Sequence, residues 1–227
     1  MNKEGTAVHK GFYRPWFIPL GLVVVMWLVF IIEWSTNSDF GTFGILPRKL
    51  SGLKGILFSP FLHGDWEHLL NNTYPVIFLG LGISYFYRKV SLQIFLYSLV
   101  FTGLWVWVGG RSSYHIGASG LIYCWASFLF FSGLFKWHMN LIGISLLIVF
   151  LYGSMVWGVL PWIDSISWES HLLGAFAGIT IAWYFRKEGP TKKKYSWEEE
   201  EEKQEKVHAA EGGSIKIEYH YRPKDDQ

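Results

Sequence analysis

Three short groups of polar residues stand out in a chain otherwise poor in them. The first reads His63-Gly64-Asp65-Trp66-Glu67-His68-Leu69-Leu70-Asn71-Asn72, the second Gly117-Ala118-Ser119-Gly120, and the third His171-Leu172-Leu173-Gly174-Ala175-Phe176-Ala177-Gly178. His68 and Asn72 are four apart, so in a helix they share one face, one turn from each other. In the second group small residues flank a serine: another backbone can come close, and a helix start leaves unpaired N–H groups beside the hydroxyl. In the third, glycines three and seven positions beyond the histidine lie near its face and clear a groove against a neighbouring helix. A serine, an imidazole and hydrogen-bond donors are the components of acyl transfer through a covalent intermediate. Taken singly, each group has an ordinary structural use: a membrane serine bonds a carbonyl of its own helix, an Asn or His ties helices together, and Gly-x-x-x-Gly packs them.

The elements that would position these groups are set by hydropathy. Residues 187–227 hold 20 of the 38 Asp, Glu, Lys and Arg residues, so the first 186 carry only 18. That is roughly one charged residue in ten, against about one in four in a soluble domain. Six apolar stretches, at about 16–32, 68–87, 90–110, 116–135, 139–160 and 168–185, approach the ~20 helical residues that a bilayer core requires. Trp16, Trp34, Trp66, Trp137, Trp162 and Trp168 sit near their boundaries, as an interfacial aromatic belt does. Six buried helices of a soluble protein would need amphipathic partners to cover them, and the sequence has none. The expectation is an all-α polytopic membrane protein. The first span lacks a small-residue cleavage site, so it reads as a retained anchor and not a removed signal peptide.

Lys and Arg at the span ends set the orientation. Eleven (Lys3, Lys10, Arg14, Arg88, Lys89, Lys136, Arg186, Lys187 and Lys192 to Lys194) flank one side, and four (Arg48, Lys49, Lys54 and Arg111) flank the other. Both termini are therefore expected in the cytoplasm, and the second, fourth and sixth spans begin outside. All three polar groups then lie at one depth near the outer face, where unsatisfied polar side chains cost several kcal/mol and are functional candidates by default.

The remaining segments narrow the function. The connection from Ser35 to Leu62 mixes Gly, Pro and apolar residues, and it is expected to be ordered and to rest in the membrane interface. The expected organisation is a short cytoplasmic N-terminus at 1–15, a membrane domain over 16–186 and a charged, partly disordered cytoplasmic tail over 187–227. Within the tail, alternation of Ile215, Ile217, Tyr219 and Tyr221 with polar residues would suit a short strand or docking segment. A net charge of +2 without a basic stripe speaks against nucleic acid as a partner. The lone Cys124 excludes a disulfide framework and a cysteine-based zinc site. His63, Asp65, Glu67, His68, His115 and His171 are the candidate ligands for a metal, but they lack the helical His-Glu-x-x-His spacing of zinc hydrolases, and a metal would leave Gly117 to Gly120 without a role. No metal or other cofactor is expected.

Together and in this order, the groups resemble the rhomboid family of intramembrane serine proteases, whose pattern is a His and an Asn near the start of the second span, Gly-x-Ser-Gly opening the fourth, and His-x-x-Gly-x-x-x-Gly in the sixth. The likeness runs from about Phe58 to Phe185 and includes the six-span plan and the long first loop. The Trp-Arg pair that some members carry in that loop is absent here. The resemblance implies a six-helix rhomboid-like bundle with Ser119 as nucleophile and His171 as general base and then acid. It also implies His68, Asn72 and the Ser119 backbone N–H as oxyanion donors, and an aromatic ring, Tyr123, stacked on His171. Gly117, Gly120, Gly174, Gly178 and His63 complete the matched positions. Neither Glu169, about 200° around a helix from His171, nor Asp164 is placed to orient the imidazole, so a Ser-His dyad is expected and not a triad.

The implied substrate is a transmembrane segment of another membrane protein, cut near the outer face, and the implied location is the inner membrane of a bacterium. No oligomeric state follows. A catalytically silent relative that binds transmembrane clients would be expected to lack the serine or the histidine. A channel or transporter would continue its polar positions toward the cytoplasm, and beyond Thr73, Thr102 and Ser127 the spans show no such trail. Glycines in the fifth span, Gly143, Gly153 and Gly158, make it the candidate for gating substrate access.

Overall fold

The structure, a computed structural model, describes residues 16–151, 158–161, 167–190, 200–201 and 203–207. The N-terminal segment, residues 152–157 of the expected fifth span with Gly153, Trp162, Asp164 and most of the tail, including Ile215 to Tyr221, lie outside the described residues. The chain divides into two compact units, Met1–Thr191 and Lys192–Gln227, and the apolar helices belong to the first.

That unit is helical. Its elements are α1 (Phe17–Thr36), α2 (Gly55–Phe58), α3 (Trp66–Phe86), α4 (Ser91–Gly109), α5 (Ser119–Lys136), α6 (Met139–Leu151) and α7 (Trp168–Tyr184). Among the described residues three helices, α1, α4 and α5, are long and apolar enough to cross a bilayer. Length is not what sets α3 apart from them, since it has 21 residues; its first turns carry Glu67, His68, Asn71 and Asn72. α7 stops at 17 residues, and α6 is described for 13.

The helix ends have local causes. α1 runs past the expected end at Ile32 to Thr36, where Asn37 takes the left-handed conformation and donates its N–H to Glu33 O. The Glu33 carboxylate then accepts the Phe40 N–H at 2.7 Å and turns the chain into the first loop. α3 begins at Trp66 because Asp65 caps it, its carboxylate accepting the His68 N–H at 2.7 Å. α5 was expected from about 116 but begins at Ser119. Residues 115–117 are held instead by the first loop: Ile45 and His115 exchange both backbone hydrogen bonds at 2.9 Å, and the Gly117 N–H donates to Ser59 O at 2.9 Å. Gly117 has φ +100°, a conformation that ends any helix from the preceding side and that suits glycine.

α5 is the central helix, touching α3, α4, α6 and α7, and its contact with α7 is the most extensive among the described elements. The reason lies in the glycines of the third motif. A Cβ on Gly174 would collide with the Gly120 carbonyl oxygen, and one on Gly178 with Cys124 O and Ser127 Oγ. Backbones therefore meet directly, as small residues allow inside a membrane, and Ser127 Oγ adds a hydrogen bond to Ala175 O at 2.6 Å. Gly178→Val is expected to lower the unfolding free energy by about 1–3 kcal/mol through overpacking, measured by thermal unfolding in detergent; an unchanged transition would show that the two backbones can part at no cost.

Side-chain hydrogen bonds tie the first loop to the helices. Arg48 donates to Gly110 O at 2.7 Å, to Val108 O at 3.2 Å and to Ser112 Oγ at 3.1 Å, while Trp107 Nε1 donates to Lys49 O at 2.8 Å. These bonds fasten the loop to the end of α4 without the Trp-Arg pair seen in some similar sequences. Its apolar side chains Phe43, Leu50, Leu53, Leu57 and Phe58 are exposed, a set better suited to lipid than to water.

Candidate functional site

The α5–α7 contact brings the first residue of α5 against the first turn of α7. Ser119 Oγ lies 2.8 Å from His171 Nε2. The other ring nitrogen, Nδ1, lies 2.8 Å from the Gly158 carbonyl oxygen. A carbonyl can only accept, so Nδ1 carries the proton and Nε2 is the basic nitrogen facing the serine. Tyr123, one turn after Ser119, stacks on the imidazole with centroids 4.3 Å apart and planes 15° from parallel.

α3 supplies the opposite wall. A point one bond length from the Gly117 Cα, where a Cβ would stand, is 2.5 Å from His68 Nε2 and 3.5 Å from Asn72 Nδ2. Two N–H-bearing groups thus converge beside the backbone that leads into Ser119. Asn72 is buried, and its Nδ2 has no hydrogen-bond partner among the described residues. A buried amide donor without an acceptor is costly and marks a place where an acceptor can arrive. The first N–H groups of α5, beginning with that of Ser119, have no intrahelical acceptor. His63 stands edge-on behind His68 with centroids 4.9 Å apart. Burial pushes the His63 pKa down to about 3, so it backs His68 as a neutral ring.

One cavity of about 570 Å³ is lined by Asp65, Glu67, His68, Asn72, Ser119, Tyr123, Gly158 and His171, among others. Among the described residues, no group of three or more His, Cys, Asp or Glu is placed to hold a metal ion.

A family model for the rhomboid domain matches residues 51–188. The chain belongs to the rhomboid family. Its relatives include an uncharacterized protein of Mycobacterium tuberculosis (strain ATCC 25618 / H37Rv), 35% identical over 178 residues that make up 72% of each chain. An uncharacterized protein of Mycobacterium leprae (strain TN) is 34% identical over 176 residues, 72% of this chain and 68% of its own. The family and the apolar helices make this an integral membrane protein.

Within this rhomboid chain, the residues of the three matched motifs fall around the cavity or in the α5–α7 contact, whereas Gly143 lies in α6 and Asp164 and Gly153 are outside the described residues. Ser119, His171, His68, Asn72 and Tyr123 meet around the cavity, Gly117 stands against His68, His63 lies behind His68, and Gly120, Gly174 and Gly178 set the helix contact. Glu169 is turned away, pairing with Arg111 at 3.6 Å. What sequence reasoning missed is the Gly158 carbonyl, which orients His171 where a triad would use a carboxylate. A backbone oxygen has no side-chain signature; the one available hint was a glycine. A Cβ at Gly158 would collide with the Tyr123 hydroxyl and stand 3.0 Å from His171 Nδ1. Gly158→Ala is therefore expected to push the ring off its carbonyl and to slow labelling of Ser119 by a fluorophosphonate about 10-fold or more, as ångström-scale misplacement does. Labelling at the wild-type rate would mean that the carbonyl does not hold the ring.

Proposed function

We propose that this protein is an intramembrane serine endopeptidase that cuts transmembrane segments of other membrane proteins near the outer face of the bilayer. The observation that carries the reading is the Ser119 Oγ to His171 Nε2 contact at 2.8 Å with Nδ1 held by Gly158 O. In this reading α1, α3, α4, α5, α6 and α7 are six spans over residues 16–186, both termini are cytoplasmic, and the segment after 187 is a cytoplasmic tail.

His171 Nε2 takes the Ser119 hydroxyl proton as Oγ attacks the scissile carbonyl carbon. The tetrahedral oxyanion is stabilised by His68, Asn72 and the Ser119 N–H, donors already placed beside the serine before the charge develops. His171 then protonates the leaving amine, the C–N bond breaks, and an acyl ester remains on Ser119. A water, deprotonated by the same imidazole, hydrolyses the ester and restores Ser119. The polar lining of the cavity supports admission of that water. A substrate helix has its carbonyls engaged in its own hydrogen bonds, so local unwinding must precede attack, and small or helix-breaking residues near the cut favour it.

The test is cleavage of a labelled single-span substrate in liposomes. Wild type cleaves it and Ser119→Ala does not; equal processing by both would dismiss the assignment. A fluorophosphonate probe should label the protein only when Ser119 is present. A C-terminal reporter accessible only from the cytoplasmic side would match the orientation, and one accessible from outside would reverse it.

A further inference from the structure

One helical turn before the Ser119–His171 contact, at the edge of the same cavity, a second line of hydrogen bonds joins the same two segments. His115 lies four residues before Ser119 and is 2% exposed. Its Nε2 is 3.0 Å from the Arg111 carbonyl oxygen, which accepts only, so Nε2 bears the proton and Nδ1 is an acceptor. Nδ1 faces the Ser167 hydroxyl at short range and the Ser170 hydroxyl at 3.3 Å, and those two hydroxyls are 2.7 Å apart. Burial lowers the pKa of His115 and so favours the neutral ring. Ser167 lies four residues before His171, so the second tie has the same offset as the first on both strands of chain.

Ser167 is the N-cap residue of α7, where a serine hydroxyl ordinarily accepts an N–H from the first turn, yet its side chain makes no cap bond. The hydroxyl is committed to His115 instead. On its other side His115 is fixed by the paired backbone bonds with Ile45. Gly158 and Tyr123 hold the imidazole of His171, but neither fixes the backbone of the α7 start. The Ser119–His171 contact, the His115–Ser167 tie and the Arg111–Glu169 pair together fasten the first turn of α7 to the chain entering α5, and of these the His115 tie stands one helical turn before the reacting pair on both segments.

We propose that His115, acting through Ser167 and Ser170, is a positioning residue: it locks the first turn of α7 to the loop entering Ser119, so that Nε2 stays within reach of Oγ throughout the reaction. This inference rests on the protease reading above.

The experiment measures kcat and KM for a labelled single-span substrate in liposomes with the full chain. His115→Ala is expected to lower kcat about 10- to 100-fold, the usual consequence of a displaced reacting group, with KM within about twofold. In His115→Asn the amide oxygen can stand near the Nδ1 position and accept from Ser167, so most of the rate should return. His115→Gln reaches toward the Arg111 carbonyl but leaves Ser167 without its acceptor, and should stay slow. Adding Ser167→Ala to His115→Ala should cost nothing further, since both break the same tie. If His115→Ala does not fold, Ser167→Ala, which removes one oxygen atom, carries the test through its own fall in kcat. Wild-type kcat in the alanine variants, equal rates for the Asn and Gln variants, or a change confined to KM would each overturn the proposal. Wild type and Ser119→Ala cleaving alike would instead remove the protease reading, and this inference with it.

Discussion

Replacing His171 by alanine is expected to lower kcat/KM for a single-span substrate by about 10⁴-fold or more, and adding Ser119→Ala should slow the reaction no further. The magnitude follows from serine-histidine systems in which the members act as one unit, so that losing the base alone costs nearly as much as losing the whole set. The geometry supports the same logic here: His171 Nε2 is the nitrogen 2.8 Å from Ser119 Oγ, and its proton is kept on Nδ1 by Gly158 O. Without the imidazole, the hydroxyl has no acceptor poised for its proton. Single-turnover cleavage in liposomes would measure the three variants. Additive losses in the double variant would mean that the two residues act independently and that this pair is not the reacting unit.

Asn72→Ala is expected to reduce kcat about 100- to 1000-fold, the usual cost of removing one oxyanion donor, while leaving thermal stability unchanged or slightly raised. The two readouts separate function from structure. Asn72 is 4% exposed, and its Nδ2 has no acceptor among the described residues. A tie between helices would lose stability on truncation, whereas removing an unsatisfied buried donor relieves a desolvation cost. Activity near wild type, or a fall in stability that accounts for the lost activity, would assign Asn72 to packing.

Much of this site was legible in the sequence because its parts are side chains with distinctive chemistry at helical spacing. His68 and Asn72 share a face because a helix repeats every 3.6 residues. Gly174 and Gly178 follow His171 at intervals that clear one groove, and α5 fills it. Hydropathy separated the apolar first 186 residues from the charged remainder. Three features were not legible. The start of α5 is decided by Ile45, which holds His115 from a distant loop and leaves Ser119 as the first residue of the helix. The orienting partner of His171 is a main-chain carbonyl, which every residue possesses. The diversion of Ser167 from its own helix to His115 contradicts the local expectation for a serine at an N-cap.

The sequence by itself therefore determined which residues are expensive in a membrane and at which helix starts they stand, because burial cost and helical period are local properties. Only the tertiary structure decided which of their atoms face one another. The tautomer of His171, the pairing of Glu169 with Arg111 and the unpartnered Asn72 amide all depend on hydrogen bonds between segments far apart in the chain, whose geometry is set by how closely backbones can approach.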